Sequence, residues 1–141
     1  MKKQQGFSLL ELMVVIVILG IIASLVVPNV MGNKEEADRQ KAVVDIQQLE
    51  NALDMYRLRN GFYPTSEQGL RALVEPAASE PVPRSFPEGG FIRRLPRDPW
   101  GQDYQLASPG QFGRIDIFSM GPDGVPGTDD DIGNWDIDNN N

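Results

Sequence analysis

From residue 12 to residue 33 the chain carries no charge, and between Leu12 and Met31 only Ser24 and Asn29 are polar. A run of about 20 apolar residues at about 1.5 Å each matches the roughly 30 Å hydrocarbon core of a bilayer. The apolar core of a secretory signal is shorter, about 7–15 residues, and ends at a small-residue cleavage site. Here Ala23-Ser24 is followed by more leucine and valine. A buried core helix is also excluded, because the rest of the chain is too small and too polar to surround such a rod. Beyond the run, Ala42, Ile46, Leu49, Leu53 and Tyr56 recur at helical spacing on one face. The pattern predicts one long helix from about residue 8 to residue 58, kinked at Pro28, where the ring removes a backbone donor. Its first half is apolar all round and its second half is amphipathic.

The pattern then breaks up. Asn60-Gly61 is a helix stop, and Thr65-Ser66-Glu67-Gln68 has capping-box spacing before Leu70, Leu73 and Val74, which predicts a short helix over 66–75. Prolines punctuate residues 76–99 and exclude long regular elements, while Phe86, Phe91, Ile92, Leu95 and Trp100 anchor a pinned loop. Residues 103–106 and 114–118 read as short strands around a 110–113 turn. In the second, Ile115 and Ile117 share one face and Asp116 and Phe118 the other. Residues 132–137 add a weaker third strand. The fold class is α+β, a long N-terminal helix packed on a small antiparallel sheet.

Charge sharpens this division. The 141 residues hold 13 Lys and Arg against 20 Asp and Glu, a formal net charge of −7. That balance argues against nucleic acid, whose phosphates need clustered cations. With no His and no Cys, His-based acid–base catalysis, thiol nucleophiles, disulfides and nearly every zinc or copper site are excluded. No serine has a base partner or a Gly-x-Ser-x-Gly setting, so a membrane-anchored enzyme finds no support. Any metal must be held by oxygen. Lys2 and Lys3 flank the apolar run on the side that stays cytoplasmic, which places the C-terminal body outside the cytoplasm. From residue 115 to the end there is no Lys or Arg, and Gly121 to Asp131 concentrates Asp123, Asp129, Asp130 and Asp131 among Gly and Pro. Either this is a solvated acidic surface, or it is a loop of oxygen ligands suited to Ca²⁺, although not on EF-hand spacing. Glu11 lies against the apolar run, where an isolated carboxylate is costly. It either snorkels to the interface or has a partner.

Gly6-Phe7-Ser8-Leu9-Leu10-Glu11-Leu12-Met13-Val14-Val15 resembles the N-terminal signal of type IV pilins and pseudopilins. The resemblance implies that a prepilin peptidase cuts between Gly6 and Phe7 and methylates the new amino group of Phe7. The apolar helix is retained, and Glu11 pairs with the Phe7 amino group of a neighbouring subunit. Ala52-Leu53-Asp54-Met55-Tyr56, Tyr63-Pro64-Thr65, Asp98-Pro99-Trp100-Gly101 and Ser119-Met120-Gly121-Pro122-Asp123-Gly124 narrow the resemblance to the major pseudopilins of type II secretion systems. The Gly127-to-Trp135 stretch does the same.

That resemblance implies a leader over 1–6, a membrane and filament-core helix over 7–33, and a periplasmic body over 34–141. It implies a structural Ca²⁺ held by Asp123, Asp130 and Asp131, completed by the Ser119 hydroxyl and the carbonyls of Met120 and Val125, with Asp129 outside the ligand shell. It further implies a non-enzymatic, self-polymerising subunit anchored in the inner membrane, whose filament pushes folded exoproteins through an outer-membrane secretin. Its partners are minor pseudopilins, the assembly platform with its ATPase, and the prepilin peptidase. A surface type IV pilin shares residues 6–11 but commonly closes its C-terminal region with a disulfide, which this chain lacks. Several minor pseudopilins lack the pattern of Asp123 and Asp130-Asp131. Residues 136–141, polar and acidic, are expected to be disordered.

Overall fold

The computed structural model describes residue 3 and residues 5–138, excepting the side chains of residues 27–30 and 138. The element order is α1 (Leu9–Asn60), a 3-10 turn η1 (Leu70–Leu73), β1 (Gln105–Ala107), β2 (Asp116–Ser119), β3 (Ile132–Gly133) and α2 (Asn134–Asp138). The chain divides into two compact units, residues 1–37 and 38–141. The kink expected at Pro28 falls on residues 27–30, whose side chains are outside the described set.

In the first unit, α1 starts where Ser8 caps it. The Glu11 N–H donates to Ser8 Oγ at 3.2 Å, and the Leu12 N–H to the Ser8 carbonyl at 3.2 Å. From Leu9 to Val26 every side chain is exposed, and α1 contains a stretch long and apolar enough to cross a membrane.

In the second unit, the expected stripe of α1 forms the core. Ala42, Ile46, Leu49, Leu53 and Tyr56 are fully buried, against Leu70, Leu73, Leu106, Ile117 and Ile132. Burying each large aliphatic side chain contributes about 1.5–3 kcal/mol. The helix runs two residues further than expected, because buried Asn60 continues it. Its amide donates to the Tyr56 and Ser85 carbonyls at 3.1 and 3.2 Å, and its Oδ1 accepts the Ser85 N–H at 2.9 Å. Asn60 thereby ends the helix and pins the proline-rich loop in one step.

The predicted helix over 66–75 is corrected to a turn followed by η1. Both capping-box bonds form, Gln68 N–H to Thr65 Oγ1 at 3.2 Å and Thr65 N–H to Gln68 Oε1 at 3.1 Å. Gly69 then adopts φ +63°, ψ −168°, which no α-helix accommodates, and the chain restarts as a single 3-10 turn.

The sheet is three-stranded and antiparallel in the order β1-β2-β3, with Leu106 opposite Ile117 and Ser119 opposite Ile132. Its strands are shorter than expected, and residue 103 contributes only an isolated bridge to Arg97. The expectations for residues 132–137 and for disorder from residue 136 are corrected, and Asp116 takes a role that alternation does not predict. Asp116 is buried (3% exposed), and its carboxylate accepts the N–H groups of Gln111, Phe112 and Gly113 at 2.6, 3.1 and 3.2 Å, closing the turn before β2. The third strand stops at Gly133 because the Asn134 side chain takes over the pairing with β2. Its Oδ1 accepts the Ile117 N–H at 3.1 Å and its amide donates to the Ile115 carbonyl at 3.0 Å. Residues 134–138 then form α2, so the expected disorder does not begin at Asp136. Residues 139–141 lie outside the described set. Trp135 anchors this turn by packing on Phe112 and Phe118, with ring centroids 4.6 and 5.8 Å away.

Candidate functional site

Two regions carry the residues singled out by the sequence. At the N-terminus, Gly6 and Phe7 precede α1, and Phe7 is exposed. An exposed, non-helical segment is what a processing enzyme can bind in extended form. Glu11 lies in the first turn of α1, where a carboxylate is favoured by the helix dipole. Phe7 and Glu11 thus sit at opposite ends of the Ser8 cap, close in sequence to the exposed apolar surface that any assembly must cover.

The second region is the loop between β2 and β3. It leaves the sheet at Ser119 and doubles back at Gly121, which has φ +66°. A Cβ at Gly121 would overlap the Asp130 backbone carbonyl, so the two ends of the loop touch there. Within the loop, Asp123 Oδ1 accepts the Val125 N–H at 3.0 Å, and the Thr128 hydroxyl lies 2.8 Å from Asp123 Oδ2 and 3.1 Å from the Val125 carbonyl. Asp131 Oδ2 accepts the Gly127 N–H at 2.7 Å, while Asp131 Oδ1 is buried with no hydrogen-bond partner. That orphaned carboxylate oxygen, in a loop whose other side-chain donors are hydroxyl and carboxylate, suits a hard cation. Among the described residues, no three carboxylates converge as a ready-made metal cluster. Asp123, Asp129 and Asp130 remain exposed.

Ser119, whose hydroxyl the resemblance implies as a ligand, lies at the base of the loop where β2 ends. Ser119 is fully buried, its hydroxyl donates to Asp98 Oδ2 at 2.7 Å, and its Oγ accepts the Gly121 N–H at 3.1 Å. It works as a strut beneath the loop. In the sequence Asp98 and Thr128 stand out only as parts of the family motifs, and Gln102 carries no mark at all. The signal available for Asp98 was its own tripeptide, since Asp before Pro favours a turn that bonds the backbone two residues on.

Beside the loop lies a cavity of about 690 Å³ whose lining includes Phe112, Phe118 and Trp135 together with Thr128, Asp129 and Asp131. Elsewhere, Tyr104 is held above the ordinary tyrosine pKa range, first by burial and then by its hydrogen bond to Asp45 at 2.7 Å.

Comparison with known proteins covers nearly the whole chain. The family profile described as "Type II secretion system (T2SS), protein G" matches residues 29–135, and "Prokaryotic N-terminal methylation motif" matches residues 1–27. The chain is 69% identical over 137 residues to "Type II secretion system core protein G" of Klebsiella pneumoniae, covering 97% of this chain and 98% of the relative. The protein of the same description from Aeromonas hydrophila is 70% identical over 136 residues (96% and 95%), and that from Pseudomonas aeruginosa 48% over 138 residues (96% and 97%). The crystal structure of the major pseudopilin from the type 2 secretion system of enterohaemorrhagic Escherichia coli superposes with a TM-score of 0.73 at 64% identity, covering 76% of this chain and 90% of that one.

Proposed function

The chain belongs to the type II secretion system protein G family, the major pseudopilins, and from that premise we propose how its parts serve a pseudopilus. The observation that carries the reading is the wholly exposed apolar helix over residues 9–26, preceded by the methylation motif. Such a surface is soluble only in lipid or against copies of itself, so the same helix serves first as inner-membrane anchor and then as filament core. The body, residues 38–141, lies in the periplasm. The prepilin peptidase cuts between Gly6 and Phe7 and methylates Phe7. Glu11 pairs with the amino group of Phe7 on a neighbouring subunit, because a carboxylate leaving water needs a cation. Minor pseudopilins, the assembly platform with its ATPase and the outer-membrane secretin are the remaining partners, and the growing filament drives folded exoproteins outward. The chain itself acts as a structural subunit and catalyses nothing.

The loop over residues 121–131 holds a structural Ca²⁺. Asp123, Asp130 and Asp131, the Ser119 hydroxyl and the carbonyls of Met120 and Val125 supply the oxygens. When bound, the ion neutralises carboxylates that otherwise repel one another. The all-oxygen donor set and the orphaned Asp131 Oδ1 support this reading.

Two measurements test the proposal. Mass spectrometry of the processed chain is expected to find an N-terminal Phe7 carrying one methyl group; a start after Ala23 or at Met1 sinks the anchor-and-filament reading. Thermal melts of the full chain in detergent, with Ca²⁺, Mg²⁺ or chelator, test the ion. At a free concentration ~100 times the dissociation constant, Ca²⁺ adds about 2.7 kcal/mol to folding. Mg²⁺ is expected to do far less, because an irregular oxygen shell suits it poorly. Asp123→Ala is expected to abolish the difference. Equal melting in all three conditions means the loop is only a charged surface.

A further inference from the structure

The motif Asp98-Pro99-Trp100-Gly101 has no role in processing, membrane insertion or the ion shell, yet it contains, among the described residues, the best-buried carboxylate after Asp116, with Asp98 only 4% exposed. Three donors converge on it. Its Oδ1 accepts the N–H groups of Trp100 at 3.1 Å and Gln102 at 2.7 Å, and its Oδ2 accepts the Ser119 hydroxyl at 2.7 Å. Ser119 in turn accepts the Gly121 N–H, at the point where the acidic loop leaves β2 and folds back against Asp130. A second contact runs from the same turn. The Gln102 side-chain amide fills the space that a Cβ at Gly124 would need, so it packs directly on the loop. The turn is also tied to α1, because the Lys41 ammonium donates to the Arg97 carbonyl at 2.8 Å and the Tyr104 hydroxyl to Asp45 at 2.7 Å.

We infer that Asp98 is a positioning residue for the acidic loop: acting through the Ser119 hydroxyl, it sets the backbone at residues 119–121 from which the loop closes. A carboxylate does this better than a neutral acceptor, since a charge-assisted bond between buried groups is short and strong. The loop is thus templated from beneath by the 98–102 turn, and through that turn it is linked to the periplasmic part of α1. The inference rests on this hydrogen-bond chain, and only its ion-dependent consequence rests on the calcium reading.

Hydrogen exchange by mass spectrometry on the full chain in detergent, in chelator and in Ca²⁺, separates the two. In chelator, Asp98→Asn and Ser119→Ala are each expected to speed exchange over residues 121–131 by about tenfold, the scale of a lost bond to a buried charge. The double variant is expected to add little to either, because both remove the same link. Asp116→Asn is the control. It disrupts an equally buried carboxylate that holds the 110–113 turn, so it is expected to loosen residues 110–116 and leave 121–131 at the wild-type rate. Exchange over residues 42–56 reports in the same data that each variant is folded, and the near-isosteric Asp98→Asn carries the test if Ser119→Ala is not. Unchanged exchange over 121–131 in Asp98→Asn overturns the inference, as does equal loosening of that loop by Asp116→Asn. If Asp98→Asn loosens the loop while Ca²⁺ has no effect on the wild type, the positioning role stands and the calcium reading falls.

Discussion

Single residues here owe their roles to the groups facing them more than to their own chemistry. Tyr104 is an ordinary phenol that burial and the Asp45 carboxylate hold protonated well above its usual range. A pKa raised in the folded state contributes stability that is complete below the unfolded value, about 10, and is lost as pH climbs past it. Tyr104→Phe is therefore expected to destabilise the protein at pH 7 by about 1.5–3 kcal/mol, the range for a hydrogen bond to a charged acceptor. The penalty should shrink above pH 10, because the wild type then carries a buried phenol under pressure to ionise. Chemical denaturation at both pH values checks this, and an equal loss at both refutes the ionisation argument. Asp116 makes the same point about legibility. Alternation placed it with Phe118 on the face opposite Ile115 and Ile117 and said nothing of its partners, which are three backbone N–H groups of the preceding turn. No pattern of apolar positions encodes a carboxylate that serves as a turn's hydrogen-bond acceptor.

At the scale of elements, α1 was legible because a helix satisfies its own backbone and leaves only its side-chain stripe to be decided. All five positions read as that stripe are buried, while Met55 and Leu58 on other faces stay exposed. Leu53→Ala is expected to cost about 2–5 kcal/mol through the cavity it leaves, and Met55→Ala to fall within about 0.5 kcal/mol in unassembled subunits. Thermal unfolding of both variants measures the contrast, and similar losses mean the stripe is misassigned. The short elements were less legible because their limits depend on partners. Gly69 stops the helix that the Thr65–Gln68 capping pair begins, and the Asn134 side chain replaces what a longer third strand would have supplied.

For the whole molecule, the decisive fact is a helix with two kinds of surface, exposed apolar side chains over residues 9–26 and a one-sided stripe beyond residue 38. Assembly must cover the first, and in the proposed filament Glu11 is paired as it does so. Glu11→Ala is expected to leave membrane insertion and cleavage after Gly6 intact, since the apolar run only lengthens, and to reduce filament yield at least tenfold. Immunoblots of sheared filaments measure it, and normal yield favours a carboxylate that merely reaches the interface. The membrane-length apolar segment, the methylation motif and the core stripe were all legible in the sequence alone, because each depends on local period, composition or a contiguous motif. The acidic loop was visible as composition, but its geometry was not. The bonds that shape it join Ser119 to Asp98 across 21 positions and bring Gln102 onto Gly124. Only the packed sheet and turn bring those residues together, because a hydrogen bond between distant positions leaves no period in the chain and exists only once the backbone has closed around it.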